Sequence, residues 1–233
     1  SNEENKIPTI TQILNGEPPA LNDPAEVVFT PGTDHQYSNF GYIIIEKLLQ
    51  DIYSKTLSEI IKETVFEPLN MNDSIFDFPS EEIKKRLIVH HDEKGEVKES
   101  GFDVGALGHC GLLSTPYDIA KFVVELMLSY QNKTDTIISS TVVQQMCSPE
   151  IKLDPAKYFG MTSQGLGLFL IEKNEKFFFL HPGTNAPGAV CMMIGSPITG
   201  QGVVIMSNGI QAELLHLQIV YAISREYNWS LWT

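Results

Sequence analysis

Gly165-Leu166-Gly167-Leu168-Phe169-Leu170-Ile171, Glu172-Lys173-Asn174-Glu175-Lys176 and Phe177-Phe178-Phe179-Leu180-His181 follow one another as an apolar run, a polar link and a second apolar run. Short runs rich in Phe, Leu and Ile, bounded by turn formers, read as strands. The five polar residues between them form a hairpin loop, so the two strands are expected to pair antiparallel. Ala189 to Gly195 and Val203 to Ser207 repeat the pattern. Leu215, Ile219, Ala222 and Ile223 then recur at helical spacing and predict a closing amphipathic helix.

Upstream of this sheet the pattern is helical. Thr115 is a good N-cap, Pro116 fits the first helical position and Asp118 lies in the first turn. Ile119, Phe122, Val123, Leu126 and Tyr130 continue as one apolar stripe, and a shorter helix spans Thr141 to Cys147. Ile43, Ile44, Leu48 and Ile52 predict a helix beginning at Ser38, and Leu57 to Phe66 a second one that Pro68 stops. Residues up to Gly32 carry five prolines and read as extended loop, with a short strand at Val27-Val28-Phe29. The expected class is α+β. Residues 1–160 form the helical and loop portion, and 161–233 the antiparallel sheet with its helix.

Composition narrows the function. Of 233 residues, 42% are hydrophobic and 19% charged, so the chain can bury a sizeable core. A net charge of -13 and the absence of any run of five or more Lys/Arg argue against a nucleic-acid partner. No apolar run reaches the roughly 20 residues of a membrane span. Cys110, Cys147 and Cys191 are too few and too widely spaced for a disulfide framework or a metal site, and read as buried free thiols. His90-His91-Asp92 reads as solvated loop, because adjacent strand side chains point apart. No metal or cofactor is expected.

Three short features carry chemistry. Tyr37-Ser38-Asn39 stands at the mouth of a helix, where the positive end of the helix dipole favours phenolate at Tyr37 unless desolvation outweighs it. Asn39 would present an amide beside it. His181-Pro182-Gly183-Thr184 ends a strand, where a His can move a proton, a Gly admits a substrate and the Thr184 N–H can face an oxyanion. Gly108-His109-Cys110-Gly111 reads as a tight turn before a capped helix.

Taken in order, these stretches resemble the serine β-lactamase-like family, in the branch of class C β-lactamases, D-alanyl-D-alanine carboxypeptidases and related esterases. Phe29-Thr30-Pro31-Gly32 with Tyr37-Ser38-Asn39-Phe40-Gly41-Tyr42 is similar to the family's second motif and its approach. Glu67-Pro68-Leu69-Asn70-Met71 with Ser74-Ile75-Phe76, and Gly111-Leu112-Leu113-Ser114-Thr115-Pro116-Tyr117-Asp118-Ile119-Ala120, resemble two further signatures. Gly165-Leu166-Gly167-Leu168 before His181-Pro182-Gly183 is similar to the third motif in its His-x-Gly form. The resemblance implies a β-lactamase/transpeptidase-like fold and a small-molecule or peptide-like acyl substrate. It makes Tyr37 the general base or proton shuttle, and Asn39 the residue that binds a substrate amide. His181 would stand in the place often held by Lys, Thr184 would give one of two oxyanion-hole N–H groups, and Gly183 and Asn185 would line the substrate strand. Tyr37, Asn39 and His181 are expected to converge on one pocket.

The family also uses a Ser-x-x-Lys motif, and no serine here has Lys at the third following position. The expectation is that the nucleophile, its lysine, an N-terminal helix and two strands lie upstream of residue 1. The chain alone would then be inactive and its parent a serine hydrolase, periplasmic or secreted. Such a loss would leave the sheet edge at Val203 to Ser207 open to self-association. A non-catalytic binding module of the same fold, and a purely structural sheet domain, remain the alternatives.

Overall fold

A computed structural model describes residues 7–99, 105–173 and 176–229. Asn174 and Glu175, in the expected hairpin loop, and the opening Ser1–Lys6 lie outside the described residues. The chain divides into two units interleaved along the sequence, the first formed by Ser1–Phe66, Ser74–Arg86 and Gly101–Leu113.

The first unit is helical. α1 (Ile10–Asn15) lies in the proline-rich stretch read as loop. It forms because Thr9 and Gln12 make a capping box, two otherwise unpaired backbone donors being satisfied reciprocally. Val27-Val28-Phe29 makes no strand and runs as irregular backbone. α2 (Asn39–Tyr53) has Ser38 as its N-cap, as the spacing predicts. α3 (Leu57–Ile61) is likewise boxed by Thr56 and Glu59, and a π-helical turn, Lys62–Phe66, continues it to the expected end. α4 (Glu81–Lys84) is a single turn capped by Ser80. The apolar stripe on α2 is only partly used. Ile43 is buried, whereas Ile44, Leu48 and Ile52 are 52%, 55% and 63% exposed. Periodicity locates apolar side chains but not the surface they meet.

The second unit is Glu67–Asp73, Leu87–Ser100 and Ser114–Thr233. β1 (His90–His91) and β2 (Val97–Lys98) form a small hairpin whose turn is held by Asp92 Oδ1, which accepts from the Lys94 and Glu96 N–H groups. α5 (Pro116–Tyr130) begins where Ser-Thr-Pro places it, with the Thr115 hydroxyl accepting from the Asp118 N–H. α6 (Ser140–Met146) follows. Six strands then form one sheet: β3 (Ile151–Lys152), β4 (Ser163–Gln164), β5 (Phe169–Lys173), β6 (Lys176–Asn185), β7 (Ala189–Ser196) and β8 (Gln201–Ser207). They lie in sequence order, each neighbour antiparallel. α7 (Glu213–Glu226) closes the unit.

β5 starts four residues later than the apolar run suggests. Gly165 N–H donates to the Leu168 carbonyl, and Gly167 sits at φ +75, so Gly165–Leu168 is a turn. A Cβ on Gly165 would also lie 2.1 Å from the Met146 carbonyl oxygen.

Alternation sorts the sheet onto two cores. Phe178, Leu180, Ile194 and Val203 pack with Trp229 and Ile223 of the C-terminal segment. Phe179, Leu170, Met193 and Val204 pack with Val123, Leu126 and Met127 of α5 and Val143 of α6. The sheet is therefore apolar on both faces, as its near-continuous hydrophobic runs require. α7 docks by a different stripe from the one predicted. His216, Val220 and Ser224 are buried and Ile223 partly so, while Leu215 is 51% exposed. It also meets the sheet through a polar contact, His216 Nε2 lying 2.9 Å from Ser207 Oγ at the end of β8.

One brace ties two of the signature stretches. Asp118, 1% exposed, accepts from the Asp73 N–H at 2.8 Å and from Lys121 Nζ at 2.8 Å. Lys121 in turn donates to the Asn70 carbonyl. The Asn70–Asp73 loop is thus fastened to the first turn of α5. Among the described residues no helix is long and apolar enough to cross a membrane.

Candidate active site

The first unit brings Tyr37 and Asn39 together at the start of α2. Ser38 is extended, at φ -142 and ψ 121, and Asn39 is the first helical residue. Tyr37 is 47% exposed, its ring centroid 6.4 Å from that of Tyr42. Desolvation pushes the Tyr37 phenol above its ordinary pKa. Tyr37 therefore rests as a neutral phenol at neutral pH.

Sequence reasoning missed Glu46, one helical turn beyond Tyr42. Its carboxylate is 3% exposed, and Oε2 accepts from both the Leu107 and Gly108 N–H groups, at 2.8 and 2.7 Å. Gln50 Nε2 donates to Oε1 at 3.1 Å. Burial raises the Glu46 pKa and the two backbone donors only partly offset it. The Gly108-His109-Cys110-Gly111 turn is thereby clamped to α2. A side chain at residue 108 would meet the Tyr42 carbonyl oxygen at 2.8 Å, so glycine is required there. The available signal was spacing: Glu46 lies three residues after buried Ile43, on the same helix face. Cys110 Sγ lies 3.1 Å from His109 Nε2, and burial raises the thiol pKa.

The second unit carries His181, Gly183, Thr184 and Asn185 along the far end of β6. The ladder to β5 ends at the pair Phe169–Leu180, whereas pairing with β7 continues from Phe179 to Asn185. Among the described residues no strand therefore pairs with the other side of 181–185. Proline fixes which groups face it. Directly opposed residues in an antiparallel pair alternate between exchanging two hydrogen bonds and exchanging none. Pro182, opposite Met192, has no N–H to exchange, so that pair is of the second kind. Thr184, opposite Val190 and two residues on, is of the same kind. Its N–H and carbonyl are turned to the open side.

The neighbouring side chains fit a strand end that receives something. His181 is partly buried, with its ring 5.9 Å from that of Phe169 and Nδ1 2.8 Å from the Pro182 carbonyl oxygen. Burial lowers the His181 pKa, so the imidazole is neutral at neutral pH. The Thr184 hydroxyl donates to Glu213 Oε1 at 2.6 Å, which leaves its backbone N–H uncommitted to its own side chain. Cys191 Sγ lies over Gly183, 2.8 Å from where a Cβ would be, so a side chain there would have to displace this thiol. The expectation of three buried thiols holds for Cys147 alone; Cys110 is partly buried and Cys191 exposed, since a strand beside an open edge leaves its outer face uncovered.

Sheet order, the capped α5 and the strand-end His-Pro-Gly define a β-lactamase/transpeptidase-like domain of helices and antiparallel sheet. The beta-lactamase family profile matches residues 15–216, and the chain belongs to that family of serine hydrolases. Among curated relatives, the D-alanyl-D-alanine-carboxypeptidase/endopeptidase AmpH of Escherichia coli strain K12 is 26% identical over 123 residues, covering 52% of this chain and 31% of AmpH. The octameric penicillin-binding protein homologue from Pyrococcus abyssi superposes with a TM-score of 0.66 at 27% identity, over 78% of this chain and 40% of that one. The D-amino acid amidase from Ochrobactrum anthropi SV3 superposes at 0.67 with 22% identity, over 88% and 57%. The chain thus spans about a third of its curated relative and about half of these solved structures.

Proposed function

We propose that this chain is part of a serine acyl-transfer hydrolase of the β-lactamase, D-Ala-D-Ala carboxypeptidase or esterase type. Its attacking serine and lysine would come from sequence outside these 233 residues. The observation that carries the reading is the open side of β6, where Pro182 phases the Thr184 N–H outward at the end of a strand bearing a neutral His181.

An acyl substrate laid along that edge would place its carbonyl oxygen on the Thr184 N–H, where negative charge develops as the serine oxygen bonds to the carbonyl carbon. Tyr37, a neutral phenol at rest, would act as a shuttle, giving its proton to the leaving group and regaining one from the nucleophile. Asn39 would hold the substrate amide, and neutral His181 would accept or donate a hydrogen bond at the leaving group. Gly183 and Asn185 would line the acyl chain. The names of AmpH and of the amidase, which refer to D-alanyl and D-amino acid substrates, support a peptide-like acyl compound.

Loss of the nucleophile costs a serine hydrolase about 10⁶ in turnover. The 233-residue chain is expected to hydrolyse neither a chromogenic cephalosporin nor a nitrophenyl ester above background. A longer parent carrying Ser-x-x-Lys should hydrolyse one of them, and Tyr37→Phe in that parent should lower kcat by roughly 10²-fold or more. Turnover by the chain alone, abolished by Ser→Ala at one of its own serines, overturns the proposal. The second reading, a binding module without the reaction, is favoured by the lack of Ser-x-x-Lys among these residues. A coding sequence that opens without that motif would establish it.

A further inference from the structure

Thr184, Val190 and Ser207 stand in one row across β6, β7 and β8, since Val190 is directly opposite both of the others. Directly opposed residues share a face of the sheet, so all three side chains point the same way. α7 lies on that face. The Thr184 hydroxyl donates to Glu213 Oε1 at 2.6 Å, and Ser207 Oγ is 2.9 Å from His216 Nε2. Glu213 and His216 are three residues apart and therefore neighbours on one side of the helix, with Cβ atoms about 5–6 Å apart. Thr184 and Ser207 are two strand spacings apart, about 10 Å. The long Glu213 and His216 side chains make up the difference, and Val190, 3% exposed, occupies the middle of the row. The first turn of α7 thus bridges three strand ends.

The bridge falls where β6 is held least. Past Leu180, β7 is the strand that pairs with β6 among the described residues. With Pro182 setting the phase, Gly183 and Asn185 exchange hydrogen bonds with β7 and Thr184 does not. No backbone bond to β7 therefore fixes residue 184 itself. Its side chain supplies the missing tie, through a short bond to an ionised acceptor. The helix end that provides this acceptor is suited to it. The N-cap, Ala212, has no side-chain oxygen for the first turn, and the Glu213 carboxylate complements the helix dipole there. His216, 1% exposed and one turn deeper, fastens the same end of α7 to β8.

We infer that Glu213 is a positioning residue for acyl transfer: through the Thr184 hydroxyl it holds the Thr184 N–H where the oxyanion forms, and His216 with Ser207 anchors the helix from which it reaches. The inference rests on the reading of that N–H as an oxyanion donor. Such a donor is effective only if it is in place before charge develops. A displacement of about 1 Å can cost on the order of 10²-fold in rate. Glu213 acts through residue 184 and not on the substrate. Its own negative charge would oppose a developing oxyanion, so what the site gains from Glu213 is the hydrogen bond rather than the charge.

The test uses the full-length gene product and reads catalysis and local order separately. Glu213→Ala should lower kcat roughly 10-fold while KM stays within about twofold. Inhibition by a boronic acid, whose tetrahedral adduct places an oxygen in the same hole, should weaken by the same factor as kcat. Glu213→Gln keeps an acceptor for the Thr184 hydroxyl and should recover most of the loss. Thr184→Val removes the hydroxyl and keeps the N–H, so it should match Glu213→Ala, and the two together should cost no more than either alone. Should Glu213→Ala fail to fold, Thr184→Val reads the same bond from its other end. In amide exchange, Gly183 and Asn185 should lose protection in Glu213→Ala and Thr184→Val, while Phe179 and His181 of the same ladder keep theirs. Glu213→Gln as impaired as Glu213→Ala would make the charge the active element and overturns the inference. Additive losses, kcat and KM changing in step, or unaltered protection at Gly183 and Asn185 overturn it equally. A gene product that hydrolyses no acyl substrate ends the reading of the site and this inference with it, whereas an active one indifferent to Glu213→Ala ends this inference alone.

Discussion

Replacing Asp118 by alanine removes the anchor between the Asn70–Asp73 loop and α5. The Asp73 N–H loses its acceptor at 2.8 Å, and Lys121 loses its carboxylate at 2.8 Å. A hydrogen bond to a charged group contributes about 1.5–3 kcal/mol, and the amide stranded by its removal accounts for much of that cost. The Lys121 half is worth less. Its side chain is 25% exposed and keeps the Asn70 carbonyl, so screening reduces the ion pair to under about 1 kcal/mol. Loss of an acidic residue from the first turn of a helix adds about 0.5 kcal/mol. Together Asp118→Ala should cost about 3 kcal/mol, which for a domain of this size is a fall in Tm of roughly 6–12 °C. Asp118→Asn retains an acceptor for the Asp73 amide and should cost about half as much. Urea unfolding of the three proteins, compared at constant m-value, measures both. A loss below about 1 kcal/mol for Asp118→Ala, or equal losses for Ala and Asn, would refute the brace as described.

Glu46→Gln should leave stability at pH 7 unchanged or raised, because the amide oxygen can accept both backbone N–H groups without a buried charge, whereas Glu46→Ala should destabilise. Since burial raises the Glu46 pKa in the folded state, its contribution is fullest below the ordinary glutamate range and is lost as pH rises through the folded value. Denaturation midpoints taken from pH 4 upward should therefore show a decline in the wild type that Glu46→Gln lacks. Cys191, exposed beside Gly183, should alkylate in the native protein, slowly at pH 7 and faster as pH rises toward its elevated pKa. Cys147, buried and pushed up to about 12, should react only after unfolding. Peptide mapping of iodoacetamide adducts distinguishes the two, and early labelling of Cys147 would contradict the packing.

How much of this was legible follows from what each signal reports. The α5 start was plain because Thr115, Pro116 and Asp118 act through the backbone alone, within one turn. β6, β7 and β8 were legible as apolar runs between turn formers. β3 and β4 were not, since two-residue strands carry no period. Gly165–Leu168 reads as strand from its leucines, and the positive φ of Gly167 that turns the chain leaves no mark in apolar spacing. The α7 stripe was misplaced because a histidine and a serine, rather than leucines, face the sheet. At the candidate site, Tyr37-Ser38-Asn39 and His181-Pro182-Gly183 were found by pattern. Glu46 and Cys191 were missed because a charged residue is read by default as solvated and a cysteine as buried. Tertiary packing alone decides those cases.

The interleaving of the second unit has a consequence for biosynthesis. Its hairpin at residues 90–98 is fastened by His91, whose backbone N–H donates to the Asn208 carbonyl and whose ring meets the Asn208 amide, 117 residues further along. At typical ribosomal speeds that partner emerges roughly 6–23 s later. During the interval the two strands of the hairpin exist without the segment that receives them. A stalled or shortened translation product would therefore expose these segments first, as targets for chaperones or proteases.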